Sequence, residues 1–201
     1  NLAIDALRNP KVRQDNSKIE KYFAMIKQEN QRMNLQVESV LRMALLDKQE
    51  LNLDFSKASI HAVIVDCLSH ISLQLESKSG QLKRFLNVDE TLELNIDANH
   101  LSNSIINILD NAMKYSIGPP QIKVVTELTH NHFILIISDQ GMGMTKEEQK
   151  HIFDRFYRVS AGDLHNIKGH GLGLSYAKGI IESHMGTRVF RPLYPGCYDA
   201  K

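Results

Sequence analysis

The first fifty residues carry a helical pattern of hydrophobic positions and almost no strand signal. From Ser17 to about Leu46 hydrophobic residues recur every seven positions, which predicts one long helix with a heptad seam. The seam consists of Ile19, Phe23, Ile26, Asn30, Met33, Val37, Val40 and Ala44. An ordinary core helix shows the same periodicity, but a lone hairpin would leave this seam in water. We therefore expect a hairpin, entered by a helix that stops at Pro10, which pairs with a second copy as a four-helix bundle.

After about residue 55 the pattern mixes helix and strand signals. Strand signals cover 84–88, 91–97, 121–129 and 132–139. Helix signals cover 58–80, 98–115 behind the capping residue Asp97, a short segment opened by the capping box of Thr145 and Glu148, and 172–185. The polar, glycine-containing segment 160–168 predicts a loop. The pattern predicts an α+β fold, with a helical region at 1–50 and a mixed domain at 55–201.

Composition and charge exclude several functional classes. The 201 residues carry a formal net charge of +1, and no basic stripe with interleaved aromatic residues occurs, so we expect no nucleic-acid partner. Cys67 and Cys197 form neither a disulfide framework nor a metal-binding pair. We find no signal peptide and no apolar run of membrane-spanning length, and we expect the chain to work in a reducing compartment.

A polar stripe lies on the predicted helix 98–115. Ser104, Asn107, Asn111 and Lys114 recur at spacings of three and four. A solvated helix face is the ordinary explanation of such a stripe. Asparagine is a poor choice there, however, because its amide competes for backbone hydrogen bonds. An amide oxygen can coordinate a hard cation such as Mg²⁺, and a lysine can meet a phosphate.

Two glycine-containing stretches also carry chemistry. Asp139 ends an apolar strand and is followed by Gly141 and Gly143, which indicates either an Asx turn or a carboxylate that binds a flat ligand. Further along, glycines alternate at the start of the last helix, at Gly169, Gly171 and Gly173. The second stretch lacks the dinucleotide-binding spacing and no strand precedes it. A glycine loop that leads into a helix can still wrap phosphates with backbone N–H groups.

Four stretches in order resemble the sequence boxes of a known family. "NILDNAMKYS", "DQGMGM", "IFDRFYR" and "GHGLGLS" resemble the N, G1, F and G2 boxes of the ATP-binding region of sensor histidine kinases. These kinases belong to the Bergerat-fold ATPases, with gyrase, the Hsp90 chaperones and MutL. The match covers about 55–186. It implies an α/β sandwich of the histidine kinase/Hsp90-like ATPase type, with helices on one face of a mixed sheet and ATP between the helices and a lid.

The resemblance implies a role for each matching position. Asn111 would ligate Mg²⁺, with Asn107 near the metal and the phosphates. Lys114 would contact a phosphate, and Arg158 could reach the terminal one; with Asn107 these would be the catalytic residues.

The same resemblance assigns the adenine pocket and the lid. Tyr115 would line the nucleotide site, and Asp139 would recognise the adenine amino group beside Gly141 and Gly143. The lid would be anchored by Phe153 and Phe156. It would be closed by Gly169, Gly171, Gly173 and Leu174.

One position separates a kinase from a hydrolase. Gyrase-like relatives carry a glutamate general base where Asn107 stands, and an amide is a poor base. The resemblance therefore implies that ATP is held without rapid hydrolysis. Its γ-phosphate would pass to a histidine and then to an aspartate on the receiver domain of a response regulator.

The chain departs from the family pattern at both ends. The H box with the acceptor histidine is absent, so we expect the chain to start downstream of its acceptor and not to phosphorylate itself. The nine histidines lack that context, and we expect each to be structural or solvent-exposed. After residue 190 the sequence "RPLYPGCYDAK" has little strand character, so the last strand is expected to be missing or replaced.

The resemblance further implies a homodimer formed through the N-terminal helices. It implies the cytoplasmic part of a bacterial sensor whose membrane segments lie outside this chain. Two alternatives stay open: a hydrolytic Bergerat-fold ATPase, and a dimerisation scaffold with a vestigial nucleotide site.

Overall fold

A computed structural model describes Asp5, Val12 and residues 15–47, 51–130, 132–159 and 171–184. The chain divides into two units, 1–51 and 52–201. The expected helix before Pro10, the loop at 160–168, Gly169 and the segment after His184 lie outside the described residues. No helix in the described part of the chain combines the length and apolar composition needed to cross a membrane.

The first unit contains helix α1, Asn16–Asp47, which the heptad pattern predicts. Asp15 opens the helix, because its carboxylate accepts the Lys18 backbone N–H at 3.2 Å and pairs with the Lys18 ammonium at 3.0 Å. Several seam side chains are between 49% and 66% exposed: Phe23, Met33, Val37 and Val40. The seam of this single helix is therefore largely open, and the four-helix bundle stays a prediction.

The second unit mixes strands and helices. Its elements are β1 Ser56–Ser59, α2 Ile60–Ser77, β2 Gln81–Leu86, β3 Glu93–Ile96, α3 Ala98–Lys114, β4 Gln121–Leu128, β5 Phe133–Asp139, α4 Lys146–His151 and α5 Gly173–Ser183. The capping box predicted at the start of α4 is present, with Thr145 and Glu148 each bonded to the other's backbone N–H.

Two elements begin at residues that differ from those predicted from the sequence. A helix was expected from residue 58, but β1 occupies this position and pairs antiparallel with β3. The helix starts only after Ser59, whose hydroxyl caps it by accepting the Ala62 N–H at 3.2 Å. Strand β2 starts at Gln81 rather than residue 84, because the Gln81 N–H bonds to the Pro120 carbonyl at 2.7 Å and begins the pairing with β4 there.

The larger sheet has the order β2–β4–β5. Strand β4 is parallel to β2 and antiparallel to β5, with Ile122 opposite Asp139 in the latter pair. Alternate residues of β4 are buried, at Ile122, Val124 and Thr126, so one face of the sheet is turned toward the core. This mixed pairing agrees with the sheet that the resemblance implies.

Helices α2 and α3 supply the other half of the core. Their fully buried side chains form one cluster with the inward side chains of β4: Ile60, Ile64, Cys67, Ile71, Ile105, Leu109, Ile122 and Val124. The second unit is thus a mixed α/β arrangement whose helices cover one sheet face. Of the predicted polar stripe on α3, Ser104 is fully buried and its hydroxyl donates to the His100 carbonyl, so it cannot face a ligand. Asn107 and Asn111 are half-buried and Lys114 is exposed, so these three can face a ligand.

The buried carboxylate of Asp97 sets the start of α3. One oxygen accepts the His100 N–H at 2.9 Å, as an N-cap, and the other accepts the Asp54 N–H at 2.9 Å. Burial by itself would raise the pKa of the Asp97 carboxyl, but these two hydrogen bonds lower it below 3.8 overall.

We predict that Asp97→Ala lowers the free energy of unfolding at pH 7 by about 2 kcal/mol, because the cap is lost and a second N–H is left unpaired. Because the folded-state pKa of Asp97 is depressed, its ionised carboxylate stabilises the fold above pH 3.8. This stabilisation is lost as the pH falls through the folded-state pKa. Urea unfolding of the parent and variant at pH 7 and pH 3 should therefore give a smaller difference at pH 3. The exposed Asp66→Ala is the control, and an equal loss in both variants would contradict the account.

Candidate functional site

Helix α3 carries the N box, and its last two turns present the polar residues. Asn107 and Asn111 are half-buried and lie one turn apart on the helix. Lys114 is the last residue of the helix and is exposed, with its Nζ 3.4 Å from the Asp110 carboxylate. A cation is favoured at this end, because the last carbonyls of a helix are electronegative. Two amides and an ammonium are thus available along one edge of α3.

The G1 loop is bound to the end of that helix. The Met142 N–H donates to the Tyr115 carbonyl at 3.0 Å, and Ser116 forms a bridge with Gly141. Asp139 makes an Asx turn, in which its Oδ1 accepts the Gly141 N–H at 2.8 Å. A Cβ on Gly141 would stand 2.7 Å from Asp139 Oδ1 and 2.8 Å from the Tyr115 carbonyl, so only glycine fits this contact.

The F box meets the G2 box through the backbone. The Phe156 N–H donates to the Gly171 carbonyl at 3.0 Å, and the two residues have φ angles of 60° and 69°. A Cβ on Gly171 would lie 2.6 Å from the Tyr157 carbonyl. A positive φ is unusual for phenylalanine, so the local structure holds this residue in a costly conformation. The side chain of Phe156 is exposed, whereas Phe153 is half-buried.

The G2 box in turn meets the N box. Gly173 opens α5, and a Cβ there would stand 3.5 Å from both Cβ and Cγ of Asn107. Leu172 occupies the N-cap position and gives no side-chain hydrogen bond to the helix. The first N–H groups of α5 therefore have no side-chain cap, and a helix start of this kind favours anions.

The structure thus joins the four boxes through three contacts. The N box joins the G1 loop at Tyr115, the F box joins the G2 box at Gly171, and the N box joins the G2 box at Gly173. Leu174 is half-buried in the first turn of α5, and Arg158 is exposed at the end of the F box. Gly169 lies outside the described residues. In the part of the chain that the structure describes, no group of three or more His, Cys, Asp or Glu side chains could hold a metal ion.

Sequence reasoning missed two contributors. Asp110 lies inside the N box, and only the structure shows its carboxylate beside the Lys114 ammonium. His100 and Tyr176 are bonded across α3 and α5 at 2.6 Å, although 76 positions separate them in sequence. The spacing of four residues could have indicated the first pair. No local pattern indicates the second, because it depends on how two distant helices pack.

The chain is similar to the proteins of a known family. Residues 96–196 match the family described as histidine kinase-, DNA gyrase B- and HSP90-like ATPase. The sensor protein RprX of Bacteroides fragilis is 34% identical over 189 residues, which is 92% of this chain and 36% of that protein. The signal transduction histidine-protein kinase ArlS of Staphylococcus haemolyticus is 33% identical over 157 residues, 77% of this chain and 34% of that protein.

Among solved structures, the histidine kinase AdeS of Acinetobacter baumannii has a TM-score of 0.67 at 20% identity, covering 90% of this chain and 80% of that chain. This similarity supports the fold. The chain spans about a third of the length of the two curated relatives, 36% and 34%.

Gly143 and Gly171 have nearly the same positive φ angle but different surroundings, so substitutions at the two positions separate the cost of backbone strain from that of steric crowding. Gly143 has φ of 71° with open space at its Cβ position, whereas Gly171 has φ of 69° against the Tyr157 carbonyl. We predict that Gly143→Ala costs about 1 kcal/mol in unfolding free energy, from backbone strain alone. Gly171→Ala should cost about 1–3 kcal/mol more, because the backbone must also move apart. Urea unfolding of both variants measures the difference, and equal costs would refute the close contact.

Proposed function

Because this chain belongs to the family of histidine kinase-, DNA gyrase B- and HSP90-like ATPases, we propose that it is the ATP-binding catalytic part of a two-component sensor histidine kinase. The observation that carries this proposal is the meeting of the uncapped start of α5 with the amide face of α3 at Gly173 and Asn107. A triphosphate needs both positive helix termini and metal ligands, and this junction offers them side by side.

The adenine end of the nucleotide would lie against the G1 loop. Only one oxygen of Asp139 is engaged within the described residues, by the Gly141 N–H. The second oxygen can therefore accept a hydrogen bond from the exocyclic amino group of adenine. Gly141 and Gly143 leave room for a flat ring, and Tyr115 lines the same wall.

The phosphate end would lie between α3 and α5. Mg²⁺ is commonly held by one or two protein oxygens together with substrate phosphates, and the half-buried amides of Asn111 and Asn107 fit that chemistry. The metal would neutralise phosphate charge. Lys114 would also contact a phosphate. Its exposed ion pair with Asp110 is worth only about 0.3–0.5 kcal/mol, so a phosphate can readily replace the carboxylate. Arg158 would reach the terminal phosphate.

Asn107 directs the reaction toward transfer rather than hydrolysis. An amide cannot take a proton from water, so the site lacks a general base at this position. Phosphoryl transfer depends mainly on positioning and charge neutralisation, which the residues above could supply. We infer that the γ-phosphate passes to a histidine outside this chain and then to an aspartate of a response-regulator receiver domain. The names of the relatives, a sensor protein and a signal transduction kinase, support that role.

We further propose that residues 1–50 form the dimerisation region and 55–201 the catalytic domain. The open seam of α1 supports pairing with a second copy as a four-helix bundle, since an apolar stripe of this length is unfavourable in water. The catalytic domain would work on the cytoplasmic side, where ATP is present. Membrane attachment would belong to other segments of a full-length sensor.

We predict that the chain binds Mg²⁺ with a non-hydrolysable ATP analogue and that Asp139→Asn weakens this binding at least about 30-fold, or about 2 kcal/mol. The amide presents a donor to the adenine amino group and cannot replace the carboxylate. Isothermal titration calorimetry measures both affinities. Asp154→Asn, an exposed acid-to-amide change at the F box, is the matched control. No binding by a folded parent would support the scaffold alternative, and steady Mg²⁺-dependent phosphate release from ATP would support the hydrolytic one.

A matched pair of substitutions on α1 tests the proposed dimer. Val37 lies in the seam and Met25 on the face away from it, with 66% and 49% exposure in the single helix. We predict that Val37→Glu shifts the chain from dimer to monomer, whereas Met25→Glu leaves the dimer intact, because only the seam position becomes buried in a bundle. Sedimentation velocity over a range of concentrations measures the mass. A monomeric parent, or equal effects of the two variants, would overturn the proposed bundle.

A further inference from the structure

Helices α3 and α5 are joined by a partly buried side-chain hydrogen bond near the proposed phosphate site. The Tyr176 hydroxyl lies 2.6 Å from His100 Nδ1, and Tyr176 is only 7% exposed. The short separation indicates a well-formed bond. Buried tyrosine hydroxyls require such a partner, whereas a phenylalanine at this position would pack without one. The hydroxyl therefore adds a directional contact to an apolar interface.

A second bond joins the start of α3 to the end of α5. The Asp97 N–H donates to His184 Nε2 at 2.9 Å, and His184 Nδ1 lies 2.8 Å from the Ile180 carbonyl. A carbonyl can only accept, so Nδ1 carries the hydrogen and Nε2 accepts, which fixes a neutral tautomer of His184. Together the two bonds limit both sliding and rotation of α5 on α3.

The first of these bonds is close to the site. Tyr176 lies three residues after Gly173, which is about one helical turn. His100 precedes Asn107 by seven residues on α3, which is about two turns. Leu172 gives no side-chain cap to the start of α5, so within the described residues no cap of this kind sets the direction of the helix. Among the described side-chain hydrogen bonds that link α5 to α3, the bond to His100 lies nearest to this helix start.

We propose that His100 and Tyr176 are positioning residues for the nucleotide site. Their hydrogen bond sets the rotation of the first turn of α5, and so aims its backbone N–H groups at the phosphates held by Asn107 and Asn111. Apolar packing alone tolerates rotation of a helix, whereas a directional hydrogen bond between two side chains does not. This inference rests on the proposed nucleotide site, and it adds to that site two side chains that touch neither nucleotide nor metal.

The test compares nucleotide affinity in variants that keep or remove the bond. Tyr176→Phe and His100→Ala remove it, whereas His100→Asn keeps an acceptor near the position of Nδ1. We expect each removal to raise the Kd for Mg²⁺-bound AMPPNP about five-fold, and the double variant to raise it no further. His100→Asn should stay within about two-fold of the parent. Ser183→Ala, which removes an exposed hydroxyl from the last turn of α5, is the control.

Hydrogen exchange separates positioning from simple stability. Without nucleotide, Tyr176→Phe should speed exchange of the hydrogen-bonded amides of α5, which begin with the Tyr176 N–H bonded to the Leu172 carbonyl, while α2 stays as protected as in the parent. A variant that melts at a lower temperature but keeps the parental Kd would overturn the inference, since the bond would then be merely structural. The proposed function would survive that result if the parent binds and Asp139→Asn does not. If the folded parent fails to bind AMPPNP, both proposals fall. Should Tyr176→Phe not fold, the contrast between His100→Asn and His100→Ala decides.

Discussion

The first turn of α5 lies so close to α3 that a side chain at Gly173 would touch Asn107. Other parts of the candidate site depend on this contact. It places the uncapped N–H groups of one helix beside the amides of another, and neither set alone would hold a triphosphate. A Cβ at Gly173 would make only ordinary van der Waals contact with Asn107, so the two helices approach closely without steric conflict.

A second contact extends this junction to the adenine pocket. The carbonyl of Tyr115, just past the end of α3, accepts the Met142 N–H and lies against Gly141. In the proposed site, the same helix would position both the phosphate end and the base end of the nucleotide. Asp97 caps α3, accepts the Asp54 N–H and donates its own backbone N–H to His184. These bonds fix the start of the helix, as the Met142 bond fixes its end. A rigid helix between two loops is a suitable frame for a site that must close on its substrate.

Much of this arrangement could be predicted from the sequence, where the determinants are local. Asp97 as a cap, the capping box at Thr145 and the periodicity of α1 each depend on a few neighbouring residues. The short strand β1 could not be predicted in this way, because its only regular partner is β3, far along the chain. The early start of β2 likewise depends on a bond to Pro120.

For the site, the boxes indicated which residues matter but not how they meet. The spacing of the glycines suggested a phosphate loop, yet the crowding at Gly171 comes from the backbone of the F box, and sequence carries no sign of it. The same holds for the bond between His100 and Tyr176; His100 was expected only to be structural or solvent-exposed. Contacts between distant helices follow from tertiary packing, and there local propensity gives no guidance.

An NMR titration of the isotopically labelled chain with Mg²⁺-bound AMPPNP tests the central claim most directly, because it reports each part of the junction separately. The account predicts that the side-chain amide signals of Asn107 and Asn111 and the backbone signals of Gly141 and Gly173 shift together at saturation. Signals of β1 and β3, on the separate two-stranded sheet, should stay unchanged. Shifts that leave the amides of α3 unaffected, or that fall mainly on the two-stranded sheet, would contradict a nucleotide site between α3 and α5.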